Sequence, residues 1–422
     1  MTNKISYISA VSSLLLFILF VSVCPASAND PFLLNDYALE LLKRGEHEKA
    51  LEQLQKAYSL FPYNETLRKN LAEVYTFVGQ RRMEKGLFDE AAANFDNARE
   101  LFPDDTRYGV LRGIALYSGK HYDAAAYEFE RARNIVGDTV DLLYYLGRVY
   151  YDTGNLTGAL EVWDKALTMA PSNKMIRELA DKSRRELAVE SRMDKGYSSR
   201  FVVSYDTEVK SDLADGILAT LEDAYNSVGS DLAYFPIARI PVLLYTKKDY
   251  RSVTTSPEWS GGLYDGKIRL PIGGASELTP LLKGVLFHEY THVVVHELTN
   301  GNCPTWLNEG LAEFEERKVF NPPMAELGKA AKQKGFLSFK ALEGSFASLS
   351  VREATLAYQQ SYAMVNFMIS TYGWYKVKDI LVNLGNRMPI ETAMAKALED
   401  FSLNYGSVEQ EWQEYMKKEF GR

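Results

Sequence analysis

Between Asn29 and Arg192 the chain repeats itself, and this repetition limits what the first part can fold into. Ala50, Ala91, Ala125 and Ala159 each open the same short pattern. Leu54, Phe95, Phe129 and Trp163 follow four residues later, and Ala57, Ala98, Ala132 and Ala166 three after that. Spacings of four and three lie on one face of a helix. Pro62, Pro103 and Pro171 close three of the units, and Gly137 takes that place in the other. The last two steps are 34 residues each (125 − 91 and 159 − 125) and the first is 41 (91 − 50). Gly79, Gly113 and Gly147 stand where paired helices would touch. Such a helix pair cannot bury its apolar face alone, so neighbours must stack.

The pattern resembles the tetratricopeptide repeat, whose period is about 34 residues. The resemblance implies an all-α solenoid over residues 29–192, with a concave groove for a peptide or protein partner. Asn173 to Leu187 reads as its closing helix, with Met175, Ile176, Leu179 and Ala180 inward. Residues 186–200 are polar and charged and hold Gly196, Ser198 and Ser199, which places a domain boundary near Gly196 and a second domain over 197–422.

That second domain centres on residues 281–315. Thr279 is a helix N-cap and Pro280 suits the first helical position. The following residues are apolar nearly all round, as in a buried helix. Within it lie His288, Glu289 and His292. The two histidines are four apart, so they stack one turn from each other and can share a tetrahedral metal ion. Glu289 sits roughly 100° round from His288, placed as a base for a metal-activated water. After a turn at residues 299–304 a second helix starts near Thr305. It carries Glu309, seventeen residues past His292 (309 − 292), as third ligand. Glu313, four further on, is expected to accept the N–H of a ligating histidine. His296 continues the four-residue step and competes with Glu309, but a further turn carries it about 40° off the face.

The phrases HEYTH and WLNEGLAEF resemble the gluzincin metallopeptidases, within the peptidase MA-like group, over roughly Phe201 to the C-terminus. The resemblance implies an α+β zincin-like fold and a Zn2+ held by His288, His292 and Glu309, with Glu289 as general base. It also implies an oxyanion-stabilising tyrosine, which places Tyr358 in that role with Tyr362 as alternative. Related aminopeptidases carry a strand glutamate that binds the substrate amino terminus; Tyr264 stands at that place here, which favours an endopeptidase. Residues 263–270 read as a hairpin about an Asp-Gly turn, and in peptidases of this resemblance such an edge strand pairs with the substrate. The alternative function is an envelope adaptor whose repeats bind a partner beside an inactive metallopeptidase fold.

Composition narrows the surroundings. The chain has 422 residues, a formal charge of −8 and no basic tract, so nucleic acid is not an expected partner. Met1 to Ala28 reads as a secretory signal, with a short apolar run from Leu14 to Val21 and a small-residue site at Ala26-Ser27-Ala28. The expectation is export to the periplasm or beyond, with a retained membrane anchor as alternative and no other segment able to span a bilayer. Cleavage would remove Cys24 and leave Cys303 alone, so no intramolecular disulfide is expected. Cys303 itself reads as packing, and Gly273-Gly274 as a simple loop.

Overall fold

The computed structural model describes residues 30–206, 211–254, 262–272, 275–333 and 335–420. The expected signal segment and the Gly273-Gly274 loop lie outside them. Among the described residues no helix is long and apolar enough to cross a membrane.

The chain packs as two units, divided between Arg112 and Gly113. The first holds α1 (Pro31–Lys43), α2 (His47–Leu60), α3 (Glu65–Glu84), α4 (Phe88–Leu101) and the start of α5 (Thr106–Ser118). These are the expected antiparallel helix pairs, with Ala50, Leu54, Ala57, Ala91, Phe95 and Ala98 all buried. Gly79 is small for a reason: a Cβ there would lie 2.7 Å from the Phe95 ring. The longer first step of the repeat is taken up by α3, which runs to 20 residues.

The second unit begins with the remaining repeat helices, α6 (Tyr122–Val136), α7 (Val140–Asp152), α8 (Leu156–Met169) and α9 (Lys174–Glu190). Gly113 and Gly147 meet Phe129 and Trp163 as Gly79 meets Phe95. Five strands follow, β1 (Asp194–Tyr197), β2 (Phe201–Tyr205), β3 (Ile240–Tyr245), β4 (Leu263–Tyr264) and β5 (Ile268–Pro271), in the order β1-β2-β3-β5-β4. β3 pairs in parallel with β2 and β5, while β1 and β4 are antiparallel edges. In the polar stretch 186–200, α9 runs to Glu190, and Gly196 of β1 pairs with Val203 of β2. The change from helix to strand falls between Glu190 and Asp194, whereas the packing division falls at 112/113.

Alternation along the strands decides what each sheet face meets. Val242, Leu244, Ile268 and Leu270 enter the main core with α10 (Ser211–Leu232) and α12 (Pro280–Thr299). Leu243 and Tyr245 point the other way, onto Val189 of α9 and onto Tyr250 and Val253 of α11 (Lys247–Val253). The closing helix of the repeat array thus covers part of the second face of the sheet.

The rest is helical: α13 (Thr305–Glu316), α14 (Ala325–Gln333), α15 (Val351–Tyr372), α16 (Trp374–Gly385), α17 (Ile390–Ala397) and α18 (Tyr405–Phe420). Residues 351–355 form the first turn of α15, started by a capping box between Ser350 and Glu353. The architecture is a helical repeat array followed by an α+β domain with a small mixed sheet.

Candidate metal centre

α12 begins as its residues dictate: the Thr279 hydroxyl accepts from the Leu282 N–H, and Pro280 takes the first helical position. It ends at Asn300, which adopts the left-handed conformation (φ 50°). The turn then releases the chain into α13, which packs against both α12 and α15. At Gly310 a Cβ would lie 2.4 Å from the Ser361 carbonyl oxygen, so the residue after Glu309 must be glycine for α13 to approach α15 this closely.

The two helices bring the expected ligands together. Glu309 Oε2 lies 3.4 Å from His288 Nε2 and 3.5 Å from His292 Nε2, with each side chain no more than 15% exposed. That oxygen is otherwise without a hydrogen-bond partner. The opposite ring nitrogens are engaged: His288 Nδ1 donates to Glu316 Oε2 at 2.9 Å, and His292 Nδ1 to Asn308 Oδ1 at 3.1 Å. Both Nε2 atoms are thereby turned towards Glu309, the tautomer a metal requires. Two imidazole nitrogens and one orphaned carboxylate oxygen, all within 4.8 Å of one another, fit a Zn2+.

Glu313 does not take the role expected of it. It binds Arg317 at 3.0 Å, and Glu316 holds His288 instead. Seven residues from Glu309 is nearly two full turns, so Glu316 stays on the ligand face, whereas four residues overshoot it by about 40°. Among the described residues the groups able to hold an ion are His288–His292–Glu309 and His288–Glu313–Glu316; His296 is in neither. His296 is exposed, with its ring edge-on to Tyr264 at 5.7 Å.

The electrostatics favour positive charge between these groups. Burial would raise the Glu309 carboxyl, but the two histidines override it and hold it well below the usual range. Burial likewise opposes a charged His288 or His292, yet Glu309, joined at His288 by Glu316, raises both. Glu289 is buried beside them, and burial pushes its carboxyl up, a direction that suits a proton acceptor. One of its oxygens has no hydrogen-bond partner. The other lies against Gly262, where a Cβ would come within 2.4 Å.

A cleft of about 1070 Å³ runs past these residues. Leu263 and Tyr264 of β4 line one wall, and Phe346, Val351 and Tyr358 lie among the residues opposite. The Tyr358 ring stands 6.4 Å from His288 and edge-on to Phe346. Tyr362, one turn on, lies instead beneath the Arg317 guanidinium at 4.5 Å. Cys303 lines the cleft, but burial pushes its thiol up, which disfavours the thiolate.

Fold and site together define a repeat protein joined to an α+β domain with a two-helix His-His-Glu cation site. Residues 236–418 match the Peptidase MA superfamily, and residues 79–138 and 140–173 match tetratricopeptide repeats. The chain therefore carries a Peptidase MA superfamily domain behind tetratricopeptide repeats. Among curated proteins it is similar to human Protein O-mannosyl-transferase TMTC1, 33% identical over 98 residues, which are 23% of this chain and 11% of that protein. Photosystem I assembly protein Ycf3 of Synechococcus elongatus is 34% identical over 76 residues, 18% of this chain and 44% of that protein. The chain thus spans less than half the length of these relatives. Among solved structures, MamA is 19% identical, with a TM-score of 0.31, over 36% of this chain and 86% of that one.

Proposed function

We propose that the protein is an exported zinc-dependent peptidase, acting as an endopeptidase on peptide or protein substrates in the periplasm or outside the cell. The observation that carries this reading is the meeting of His288, His292 and Glu309 in a cleft with Glu289 buried beside them. A Zn2+ held by the first three would supply Lewis-acid activation of water and of the scissile carbonyl. Glu289 takes the proton from the attacking water and passes it to the leaving amine. Tyr358 lies in the cleft beside His288, where its hydroxyl can donate to the developing oxyanion.

Preference for internal bonds is supported by the strand that flanks the cleft. It carries Tyr264 rather than a carboxylate, and the adjacent Asp265 is committed to Arg269 and Lys182. Glu297, at the same end, is committed to Lys120 and Tyr234. A substrate ammonium would therefore meet carboxylates already neutralised by cations or hydrogen bonds. The tetratricopeptide repeats, modules of protein interaction, would recruit the substrate or a partner.

The test is metal analysis of the purified protein followed by a casein digest, wild type against Glu289→Gln. The variant is expected to keep its metal and lose cleavage, by at least about a hundredfold. Cleavage at the wild-type rate would remove Glu289 from the mechanism. A wild type without metal would leave the repeats, as an adaptor, the remaining function.

A further inference from the structure

Among the described residues β4 is two residues long and pairs with β5 through Leu263↔Arg269 and Tyr264↔Ile268. So short a strand is not stable by itself. Yet Leu263 and Tyr264 line the cleft, and Gly262 just before them touches Glu289. What fixes this segment lies on α9. Asp265 accepts from Arg269 Nε at 2.9 Å and from Lys182 Nζ at 2.7 Å. Glu186 takes Arg269 at 2.8 Å and Lys267 at 3.0 Å, and Glu190 takes Arg269 at 3.1 Å. The Arg269 and Glu186 side chains are fully buried. Burial acts to raise the Asp265 and Glu186 carboxyls, and the surrounding cations bring both below their ordinary range.

We infer that Lys182 and Glu186, side chains of the helix that closes the repeat array, are positioning residues for the cleft: through Asp265 and Arg269 they hold β4, and with it Gly262, against Glu289. Stability alone is a poor account of such a cluster, because well-packed apolar residues often serve a buried site as well or better. Ion pairs do fix register, and register is what a two-residue edge strand lacks. The helix beside it is tied in the same way. Lys120, in the turn between α5 and α6, pairs with Glu297 on α12, one residue past His296. The repeats thus grip both the strand beside Glu289 and the helix that carries the histidines. A loosened β4 would have to be ordered again by each substrate that pairs with it, which raises KM.

This inference rests on the peptidase reading for its kinetic arm but not for its structural one. The experiment uses the full chain with Lys182→Met, whose side chain is 31% exposed and so removable without burying a new charge, and with Lys182→Arg as rescue. Hydrogen exchange is followed at the amides of residues 262–268 and in the middle of α12, with metal content and peptide kinetics alongside. Lys182→Met is expected to speed exchange of the hairpin by about tenfold while α12 and the metal content stay unchanged. KM is expected to rise by a similar factor, about tenfold, with kcat falling less, and Lys182→Arg to restore both. Unchanged hairpin exchange in the folded variant would overturn the inference, as would faster exchange spread evenly over α12 and the hairpin. If the wild type cleaves no peptide the peptidase reading fails, and the exchange measurement alone decides whether Lys182 holds the strand.

Discussion

Glu289 Oε1 lies 2.4 Å from the point where a Cβ on residue 262 would be. A glutamate that must accept a proton is thus seated against the backbone of the strand that borders the cleft, and only glycine leaves it room. In Gly262→Ala either the carboxyl or the strand must move. The expected result is a fall in kcat of about a hundredfold, since misplacing a general base forfeits most of its contribution. Residue 262 is not itself a metal ligand, so zinc content should match the wild type. A variant with normal kcat would show that Glu289 works from another position.

Glu316 holds His288 by its Nδ1, and this bond aims Nε2 at Glu309. Removing such a partner typically weakens metal binding by about 10–100-fold. Glu316→Ala is expected to do so in a competition titration against a chelator. Glu313→Ala removes a partner of Arg317 and should leave metal affinity near the wild-type value. The reverse order of effects would return the histidine contact to Glu313.

That contrast shows what the sequence could and could not convey. The His288–His292 step, the cap at Thr279 and Pro280, and Glu309 on the following helix are local facts of spacing, and all were legible. The choice between Glu313 and Glu316 turns on how the His288 ring is rotated and how α13 crosses α12, which no spacing fixes. Lys267 and Arg269 belong to the stretch that reads as a hairpin. Their burial depends on Glu186 and Glu190, some eighty residues away, and a contact of that range leaves no trace in local pattern.

The approach of α13 to α15 gives a prediction about stability. At Gly310 a Cβ would meet the Ser361 carbonyl oxygen at 2.4 Å and Val365 Cγ2 at 2.6 Å. One obstacle is backbone and cannot rotate away, so the two helices must part. Gly310→Ala is expected to destabilise the protein by about 1–3 kcal/mol, read by chemical denaturation. It should also loosen metal binding, because Glu309 is the neighbouring residue. Wild-type stability would mean that α15 shifts freely, and that the close crossing is not what seats the third ligand.

Glu315, on the face of α13 away from the metal, sets a pH dependence that can be measured without activity. Its side chain is 1% exposed and pairs with Lys318 at 2.6 Å; Lys318 also holds Asp231. Burial pushes the Glu315 carboxyl up to about 7; Lys318 pulls it down, and Asp231 adds to the rise. The folded state therefore keeps a proton that the unfolded chain releases near a pH of about 4.3. Wherever the folded state binds more protons, stability falls as pH rises. Between a pH of about 4.3 and about 7 this group is expected to remove up to roughly 4 kcal/mol, with no further loss above. Glu315→Gln keeps the shape and cannot ionise. Its stability relative to the wild type should therefore be greater at pH 8 than at pH 5, compared by denaturant melts at both. A difference that is the same at the two pH values would show that Glu315 is ionised throughout, held so by Lys318.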